Sequence, residues 1–404
     1  MGEIEDQLER MAAHRAEQVP AFSMATPDEL AARRRVTRRA PVVAAIAACL
    51  AAALVVGGAL LISEADNSST VQTPAGVPAG TQGCAGKAYV ANNADGTVSV
   101  ISTASGAVSD KIAVGRYPYG ATMTPDGSYL YVTNGTPITL GNNPSAVAAV
   151  LTPDGKGAYV PGVEGSVSVI TTATDLVSST VAVGNVPASA TFTPDGKYAY
   201  VSNSGDGTVS VINTATGVVS DTIPVGRFPN SVTFTPDGEH GYVPTIDGTV
   251  SVFTTATGVV SDTIEVGNSP VVVTFTPDGK HAYVTNSADG TVSVITTATG
   301  AVSETIKVGS SPGGVAISPD GKHAYVTNRA DGTVSVITTA TGVVSDTIKV
   351  GHLPIGVTFT PDGEHAYVAN KDDGTVSVIT TATGVVSDTI TVGNGPIRVA
   401  ICPS

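Results

Sequence analysis

The stretch from Asn268 to Gly309 reads NSPVVVTFTPDGKHAYVTNSADGTVSVITTATGAVSETIKVG, and close copies of it fill most of the chain. It consists of four short runs rich in β-branched residues, separated by turn residues such as Pro277-Asp278-Gly279. Such runs between Asp-Gly turns are typical of strands joined by tight hairpins. We therefore predict four antiparallel strands, A to D, near 271–276, 281–286, 291–296 and 302–308.

The spacing of the copies decides the architecture. The Asp-Gly turn between strands B and C recurs at steps of 41 or 42 residues, at Asp206, Asp247, Asp289, Asp331 and Asp373. A four-stranded unit of this length is typical of a propeller blade. Because a single blade cannot bury both of its faces, neighbouring blades must stack on it, and a closed ring leaves no apolar end exposed.

The two ends of the repeat region also favour a closed ring. The first repeat begins at strand B with Lys87-Ala-Tyr-Val, and the last segment, 394–401, is a lone strand A. We expect the two pieces to form one blade together, so that the chain termini fasten the ring.

The second unit is shorter than the others. A normal unit has 26 positions from Asn286 to Pro312, whereas the second has 10 from Asn134 to Pro144. Strand C and most of strand D are therefore missing, and 136–141 is the remnant of D. We expect an all-β propeller of seven full four-stranded antiparallel blades plus one truncated blade. A seven-bladed ring with the truncated unit extruded is the alternative.

Strand B carries a recurrent Ala-Tyr-Val-Thr-Asn motif, at 282–286 and 324–328. Its variants are Tyr89-Val-Ala-Asn92, Tyr131-Val-Thr-Asn134, Tyr200-Val-Ser-Asn203 and Tyr367-Val-Ala-Asn370. The motif resembles the YVTN family of β-propeller repeats, which includes surface-layer and YncE-like proteins. The resemblance covers residues 84–404 and implies a propeller at the cell surface, but it names no ligand. The chain has no Trp, so the tryptophan of a WD repeat is absent.

Charge is unevenly distributed along the chain. The formal net charge is -14, and residues 1–62 hold as many basic as acidic residues, so the acidic excess lies beyond them. A surface of this sign repels a phosphate backbone. Nucleic acid is therefore not an expected partner.

The N-terminal part predicts a single membrane crossing. Pro41 to Ile62 is a run of 22 residues without a charge, which is long enough for a transmembrane helix. Five arginines precede the run, and Glu64 and Asp66 follow it. The positive-inside rule then places the N-terminus in the cytoplasm and the repeats outside the cell. A lipoprotein processing site at Cys49 is a weaker alternative, because the sequence after it stays apolar.

We therefore divide the chain into four parts. They are a cytoplasmic helical segment (1–40), a transmembrane helix (41–62), a flexible linker rich in Pro, Gly, Ser and Thr (63–83) and the propeller (84–404). The cytoplasmic segment is expected to flank the membrane as a solvated stretch, and docking of a cytoplasmic partner is the alternative.

Two cysteines flank the turn between strands A and B that the chain ends interrupt. Cys402 occupies the repeat position of Thr276, and Cys84 aligns with Asp278. Residues two apart in a tight turn lie within disulfide reach, and an exported domain meets an oxidising environment. We expect Cys84 and Cys402 to form a disulfide that locks the ring, and two free thiols are the alternative.

The loops from strand D to the next strand A differ between the copies. In a propeller these loops converge around the mouth of the central channel, where ligands of such folds bind. Bulky and cationic side chains gather there on an otherwise acidic domain. We expect them to shape a pocket for an anionic or polar surface ligand, formed by Arg116, Tyr117, Tyr119, Arg227, Phe228, His352 and Arg398. Neutral drift among duplicated blades is the alternative.

The sequence predicts no metal site and no cofactor. His240, His281, His323 and His365 occupy one repeat position, but one histidine per blade places the side chains too far apart to share a metal ion. The aspartates of the turns form two circles, and turn chemistry explains both. Weak calcium binding by these circles is the alternative.

Two classes of function remain open. The preferred one is a non-enzymatic, membrane-anchored extracellular scaffold that binds an envelope polymer or a surface protein. It explains the anchor and the linker, and no catalytic residue is predicted. The alternative is a propeller enzyme of lactonase, lyase or quinoprotein type with its site at the channel mouth. No set of Glu, His and Asp departs from the repeat pattern as such a site would require.

Overall fold

The structure is a computed structural model that describes part of the chain. The described residues are 76–78, 86–114, 118–123, 129–134, 150–154, 156–162, 165–171 and 176–401. All of them belong to one compact unit, Ser69–Ser404. None lies in a helix that could span a membrane. The expected cytoplasmic segment and the expected transmembrane helix fall outside the described residues.

The described residues form 31 β-strands. In chain order these are β1 Gly76–Pro78, β2 Lys87–Asn92, β3 Thr97–Ser102, β4 Val108–Ala113, β5 Pro118–Met123, β6 Tyr129–Asn134, β7 Val150–Leu151, β8 Gly157–Gly162, β9 Ser166–Thr171, β10 Leu176–Ala182, β11 Pro187–Phe192, β12 Tyr198–Asn203, β13 Thr208–Asn213, β14 Val218–Pro224, β15 Thr233–Phe234, β16 His240–Thr245, β17 Thr249–Thr254, β18 Val260–Glu265, β19 Pro270–Phe275, β20 His281–Asn286, β21 Thr291–Thr296, β22 Ala301–Lys307, β23 Pro312–Ile317, β24 His323–Asn328, β25 Thr333–Thr338, β26 Val343–Lys349, β27 Pro354–Phe359, β28 His365–Asn370, β29 Thr375–Thr380, β30 Val385–Thr391 and β31 Pro396–Ile401.

These strands assemble into small antiparallel sheets, here called blades. Blade one is β31-β2-β3-β4, blade two is β5-β6-β1, and blades three to eight are β7–β10, β11–β14, β15–β18, β19–β22, β23–β26 and β27–β30. Within the described ranges, seven blades have four strands and blade two has three. In blade six, the strands predicted from the sequence agree with β19 to β22 to within one residue. The all-β, four-stranded repeat is therefore confirmed.

The innermost strands of neighbouring blades contact one another. These contacts join β5 to β31 and β7, β7 to β11, and β27 to β23 and β31. Blades four and five are bridged by the Thr191 hydroxyl, which donates to the Val232 carbonyl at 2.8 Å. Blades five and six are bridged in the same way from Thr233 to Val273, at 3.1 Å. The inner strand of blade two thus stands between those of blades one and three.

Blade one is built from both ends of the repeat region. Strand β31 pairs antiparallel with β2, with Ala88 opposite Ile401 and Val90 opposite Val399. The prediction that the chain termini share one blade is confirmed. The two cysteines of the expected disulfide, Cys84 and Cys402, lie just outside the described residues.

Blade two contains a strand that the sequence did not predict. Strand β1 pairs antiparallel with β6, and Gly76, Val77 and Pro78 lie opposite Tyr131, Leu130 and Tyr129. It occupies the place next to strand B that strand C takes in the other blades. Part of the expected flexible linker, 63–83, thus completes the blade whose own strand C is missing. The proposed remnant of strand D, 136–141, lies outside the described residues.

The hydrophobic core lies between adjacent blades. Alternate residues of strand B face opposite neighbours, as the period of a strand requires. Tyr283 is 1% exposed and packs with residues of blade seven, whereas Ala282 and Val284 pack with residues of blade five. Each fully buried side chain of this kind stabilises the fold by about 1.5–3 kcal/mol. A blade is therefore stable only between two neighbours.

The asparagine that ends the strand B motif ties strand B to strand C. Asn286 is fully buried, and its Nδ2 donates to Thr291 Oγ1 at 3.0 Å and to Ser293 Oγ at 2.9 Å. The same pair of bonds is made by Asn92, Asn203, Asn328 and Asn370. A buried amide donor is costly unless it is paired, so the Thr and Ser hydroxyls of strand C stabilise the asparagine in these five blades.

The threonine of the motif links one blade to the next. Thr285 Oγ1 donates to the Gly313 carbonyl at 2.9 Å, and Thr327 Oγ1 donates to the Ile355 carbonyl at 3.0 Å. Both acceptors are second residues of the next inner strand. The motif therefore has a structural role at every position.

Candidate functional site

In blades one and four to eight, the loop that enters the inner strand is hydrogen-bonded to the aspartate in the B–C turn of the same blade. In blade six the Asn268 backbone N–H donates to Asp289 Oδ2 at 2.7 Å, and its Nδ2 donates to Oδ1 at 2.9 Å. Asn185 with Asp206 and Asn394 with Asp95 repeat this arrangement. Because these hydrogen bonds favour the charged carboxylate, the pKa of Asp289 lies below its ordinary value.

Two residues of the predicted pocket, Arg227 and His352, occupy this fastening position. The Arg227 backbone N–H donates to Asp247 Oδ2 at 3.1 Å, and its NH1 lies 3.3 Å from Oδ1. The His352 N–H donates to Asp373 Oδ2 at 2.6 Å, and Nδ1 lies 2.8 Å from Oδ1. Each side chain is bound to the aspartate of its own blade, five and eight respectively. No described contact joins the two.

Phe228 lies in the same kind of loop and is 55% exposed. Its φ is 46°, in the left-handed region. The residue before the loop proline has a positive φ in four other blades, where it is Val186, Ser269, Ser311 or Leu353. Such different side chains share one strained conformation, which costs about 1–2 kcal/mol for a residue other than glycine. The loop path therefore decides the conformation of Phe228.

The remaining predicted residues are distributed over blades one and two. Arg116 and Tyr117 lie outside the described residues, and only the backbone of Tyr119, on β5, is described. Arg398 is the third residue of β31, on the wall of the channel. Strands β31 and β5 are neighbours, so the backbone of Tyr119 lies on the inner strand next to the one that carries Arg398.

The turn aspartates between strands A and B are held by structural hydrogen bonds. Thr276 Oγ1 donates to Asp278 Oδ1 at 2.7 Å, and the Lys280 N–H donates to the same oxygen at 3.1 Å. These bonds lower the pKa of Asp278 to about 2. The corresponding aspartates Asp195 and Asp320 also have a pKa of about 2. Their oxygens are thus already committed within the turn.

We assign one level of the wall around the propeller axis to the second residue after each loop proline. In six blades that residue is glycine or has a short side chain. The six are Gly120, Ser189, Ser231, Val272, Gly314 and Gly356. A Cβ on Gly314 would lie 2.8 Å from the carbonyl oxygen of Ile355, so β23 and β27 approach closely here. In blade one the same position carries the long side chain of Arg398.

The Arg398 side chain has an unusual environment. It is exposed to solvent, yet the protein around it lowers the pKa of its guanidinium by desolvation. Water therefore reaches the guanidinium, and the protein atoms packed around it account for the lowered pKa. A Cβ on Gly356 would lie 3.8 Å from Arg398 Cγ, so the side chain runs beside β27.

The residue that follows the strand B motif lies at the channel mouth. In blades one and four it is Asn93 or Ser204, whose side chain donates to the carbonyl of Pro118 at 3.2 Å or of Pro229 at 2.9 Å. Pro118 begins β5, and Pro229 lies in the segment that leads into β15. In blade seven the residue at this position is Arg329.

Arg329 was not predicted from the sequence as a site residue. Its guanidinium lies over Gly313, the second residue of β23, where a Cβ would overlap it. Its Nε is buried and has no hydrogen-bond partner among the described residues, and desolvation lowers the pKa of the group. Lys371 holds the equivalent position in blade eight. A comparison of positions 93, 204, 246, 287, 329 and 371 between the copies would have found both cations.

Two other features lie away from the channel. The four repeat histidines stand on separate strands, and the described part of the chain holds no group of three His, Cys, Asp or Glu side chains that could bind a metal ion. A cavity of about 420 Å³ between blades five and six is lined by Asp237, His240, Tyr242 and Asp262, among others. It is formed by elements that recur in every full repeat.

Comparison with known proteins supports the propeller fold. Residues 258–400, about a third of the chain, match a family model described as Lactonase, 7-bladed beta-propeller. A search of curated proteins gives no match.

Solved propeller structures resemble the whole described unit. A putative 6-phosphogluconolactonase from Bacteroides fragilis is 19% identical, with a TM-score of 0.57 over 78% of this chain and 97% of that one. One from Bacteroides uniformis is 17% identical, with a TM-score of 0.57 over 78% and 98%. Kuenenia stuttgartiensis hydrazine synthase is 23% identical, with a TM-score of 0.54 over 74% and 93%. At these identities the likeness concerns the fold alone.

Proposed function

We propose that this protein is a propeller hydrolase of the lactonase type, whose site is the channel mouth bordered by blades seven, eight and one. The proposal rests on where three cations lie relative to the segment that matches the family model. The segment matched by the lactonase family model, 258–400, contains Arg329, Lys371 and Arg398, the cations of the channel wall. The comparisons thus favour the enzyme class, which the sequence placed second.

The reaction adds water across the acyl C–O bond of a cyclic ester. The water oxygen bonds to the carbonyl carbon, the bond to the ring oxygen breaks, and that oxygen takes a proton to give a hydroxy acid. Negative charge develops on the carbonyl oxygen in the transition state. Guanidinium groups fixed in a channel can orient an anionic substrate and stabilise that charge.

Turnover of sugar lactones tests the proposal. The purified protein is mixed with 6-phosphogluconolactone or with gluconolactone, and acid release is followed at constant pH above the uncatalysed rate. We expect saturable hydrolysis of at least one lactone. Rates equal to the uncatalysed reaction with both substrates would refute the lactonase proposal.

A membrane-anchored surface scaffold is the second candidate, and the sequence of residues 41–62 favours it. That charge-free run of 22 residues and the basic stretch before it would hold the propeller outside the cell. The recurrent Asn and Thr contacts of strand B fit a repeat of the YVTN type. The partner would be an envelope polymer or a surface protein, and residues 1–40 would face the cytoplasm.

Protease treatment of intact cells tests this topology. External protease should remove the propeller from intact cells and leave a short membrane-bound fragment. A propeller that is protected until the cells are broken would contradict it. On the released propeller, a thiol assay should find Cys84 and Cys402 unreactive before reduction, as the proposed disulfide requires.

A further inference from the structure

Cations are distributed unevenly over this acidic protein. Most lysines of the described repeats lie in the A–B turns or on the outer strand, where Lys197, Lys280 and Lys322 pair with the aspartates of their own turns. Arg227 pairs with Asp247. Arg329, Lys371 and Arg398 differ because they border the channel, and they come from three consecutive blades, seven, eight and one.

These three cations also lack partners. Among the described residues, no ion pair or side-chain hydrogen bond is formed by Arg329, Lys371 or Arg398, although the protein carries an excess of carboxylates. Exposed lysines of the turns find aspartates within 2.8 to 3.2 Å. Outer-strand lysines such as Lys307 and Lys349 also form no ion pair in the described part of the chain, but they project into solvent. Arg329 differs from them because its Nε is buried.

An unpaired charge that protein partly desolvates is costly. Charged side chains are normally paired or hydrogen-bonded where water is excluded. Arg329 is partly desolvated, and its buried Nε has no acceptor among the described residues. Arg398 is reached by solvent but has many protein atoms around it. The repeat also offers neutral residues that fit both positions, since Ser287 replaces Arg329 in blade six and Gly356 replaces Arg398 in blade eight. Folding alone therefore does not require either guanidinium.

We propose that Arg329 and Arg398, with Lys371, form an anion-binding subsite on the wall of the central channel, for a small molecule that bears a carboxylate or a phosphate. Guanidinium groups present a planar fork of donors that matches both oxyanions. The inference rests on the proposed function and narrows it, because it predicts that the lactone is an anionic one.

Calorimetric titration of the full chain tests the subsite. The probes are 6-phosphogluconate, which has a carboxylate and a phosphate, gluconate, inorganic phosphate and the uncharged glucose, at low ionic strength. We expect the anions to bind and glucose not to bind. If gluconate binds more tightly than inorganic phosphate, the subsite recognises a carboxylate; if inorganic phosphate binds more tightly, it recognises a phosphate. Failure of all three anions to bind would overturn the proposal.

Matched variants locate the binding site. Arg398→Gly copies Gly356 and Arg329→Ser copies Ser287, so both should fold, and each should weaken anion binding at least tenfold. Lys307→Thr removes one charge from the exposed outer strand and copies Thr391 of blade eight. It should leave the affinity within twofold of that of the natural protein. Equal losses in all three variants would mean that general charge, not the subsite, governs binding, and this would refute the inference.

The two proposals fail in different ways. In one case, anions bind to the natural protein and not to Arg398→Gly, but no lactone is hydrolysed. That result would support the anion subsite and refute the lactonase function. The opposite result is that the natural protein and Arg398→Gly hydrolyse gluconolactone at the same rate and bind anions with the same affinity. That result would support the lactonase proposal and refute the anion subsite.

Discussion

At the scale of single residues, the repeat is a set of paired polar groups. The motif asparagine satisfies two hydroxyls of strand C, and its own burial is complete. The loop residue satisfies the turn aspartate. These pairs explain why certain polar residues recur in most copies. Among the described residues, the buried Nε of Arg329 has no such hydrogen bond, and Arg398 forms no ion pair.

Asn286→Ala should destabilise the propeller. The substitution removes a buried donor and leaves the hydroxyls of Thr291 and Ser293 without it, which should lower the free energy of unfolding by about 2 kcal/mol. Urea unfolding followed by circular dichroism measures the change. Asn268→Ser serves as the control, because Ser310 fills that position in blade seven, and it should cost less than about 0.5 kcal/mol. Equal stability of Asn286→Ala and the natural protein would contradict this role.

Acid should weaken the A–B turns at an unusually low pH. The pKa of Asp278 in the folded protein is about 2, below its ordinary value of 3.8, so its stabilising contribution is complete above the ordinary value and is lost as the pH falls towards 2. Asp195 and Asp320 behave in the same way. Thermal unfolding between pH 5 and pH 2 should therefore depend less steeply on pH in Asp278→Asn than in the natural protein. A parallel dependence in both would contradict the shift.

At the scale of elements, two strands close gaps that the repeat leaves open. Strand β31 supplies strand A of blade one, and β1 supplies a third strand of blade two. Both come from outside the run of complete copies. The ring is thus completed by its flanking segments.

Deleting residues 76–78 should loosen blade two. Without β1, the backbone of β6 loses its outer neighbour, so the amides of Tyr129, Leu130 and Tyr131 should exchange with solvent faster. Hydrogen exchange read by mass spectrometry measures this. Deletion of 70–72, which lie outside the strand, should leave the exchange unaltered. Equal protection in both deletions would show that β1 does not hold the blade.

Removing β31 should open the ring. Truncation before Pro396 leaves β2 without its inner partner and exposes the faces between blades one, eight and two, so cooperative unfolding should be lost. Truncation after Ile401 keeps the strand and should retain one sharp transition. Scanning calorimetry distinguishes the two. If the protein without β31 still unfolds in one sharp transition, at the unfolding temperature of the natural protein, the ring does not depend on the pairing of β31 with β2.

At the scale of the whole molecule, the sequence predicted the ring but only part of the channel wall. Strands A to D could be predicted because β-branched runs and Asp-Gly turns recur at fixed spacing. The same repetition predicted that both ends of the repeat region form blade one. Strand β1 could not be predicted, since Gly76-Val77-Pro78 has no strand pattern and pairs only because blade two lacks its own strand C. Arg227 and His352, which the sequence predicts as pocket residues, each take the place of an asparagine that binds a turn aspartate in other blades.

The ring gives the molecule one axial channel, and its wall is not uniform. Small residues line it in most blades, and the cations of blades seven, eight and one stand on one side. The whole chain has a formal net charge of -14, so its outer surface would repel an anion and leave this wall as the attractive place. We therefore expect an anionic ligand to bind in the central channel of the propeller.

A crystal structure of the full chain with bound 6-phosphogluconate would locate the proposed anion site. We expect ligand density in the channel, with an anionic oxygen within hydrogen-bond distance of the Arg398 guanidinium and another near Arg329. Density on the outer rim only, or an Arg398 guanidinium paired with a carboxylate of the chain itself, would contradict it.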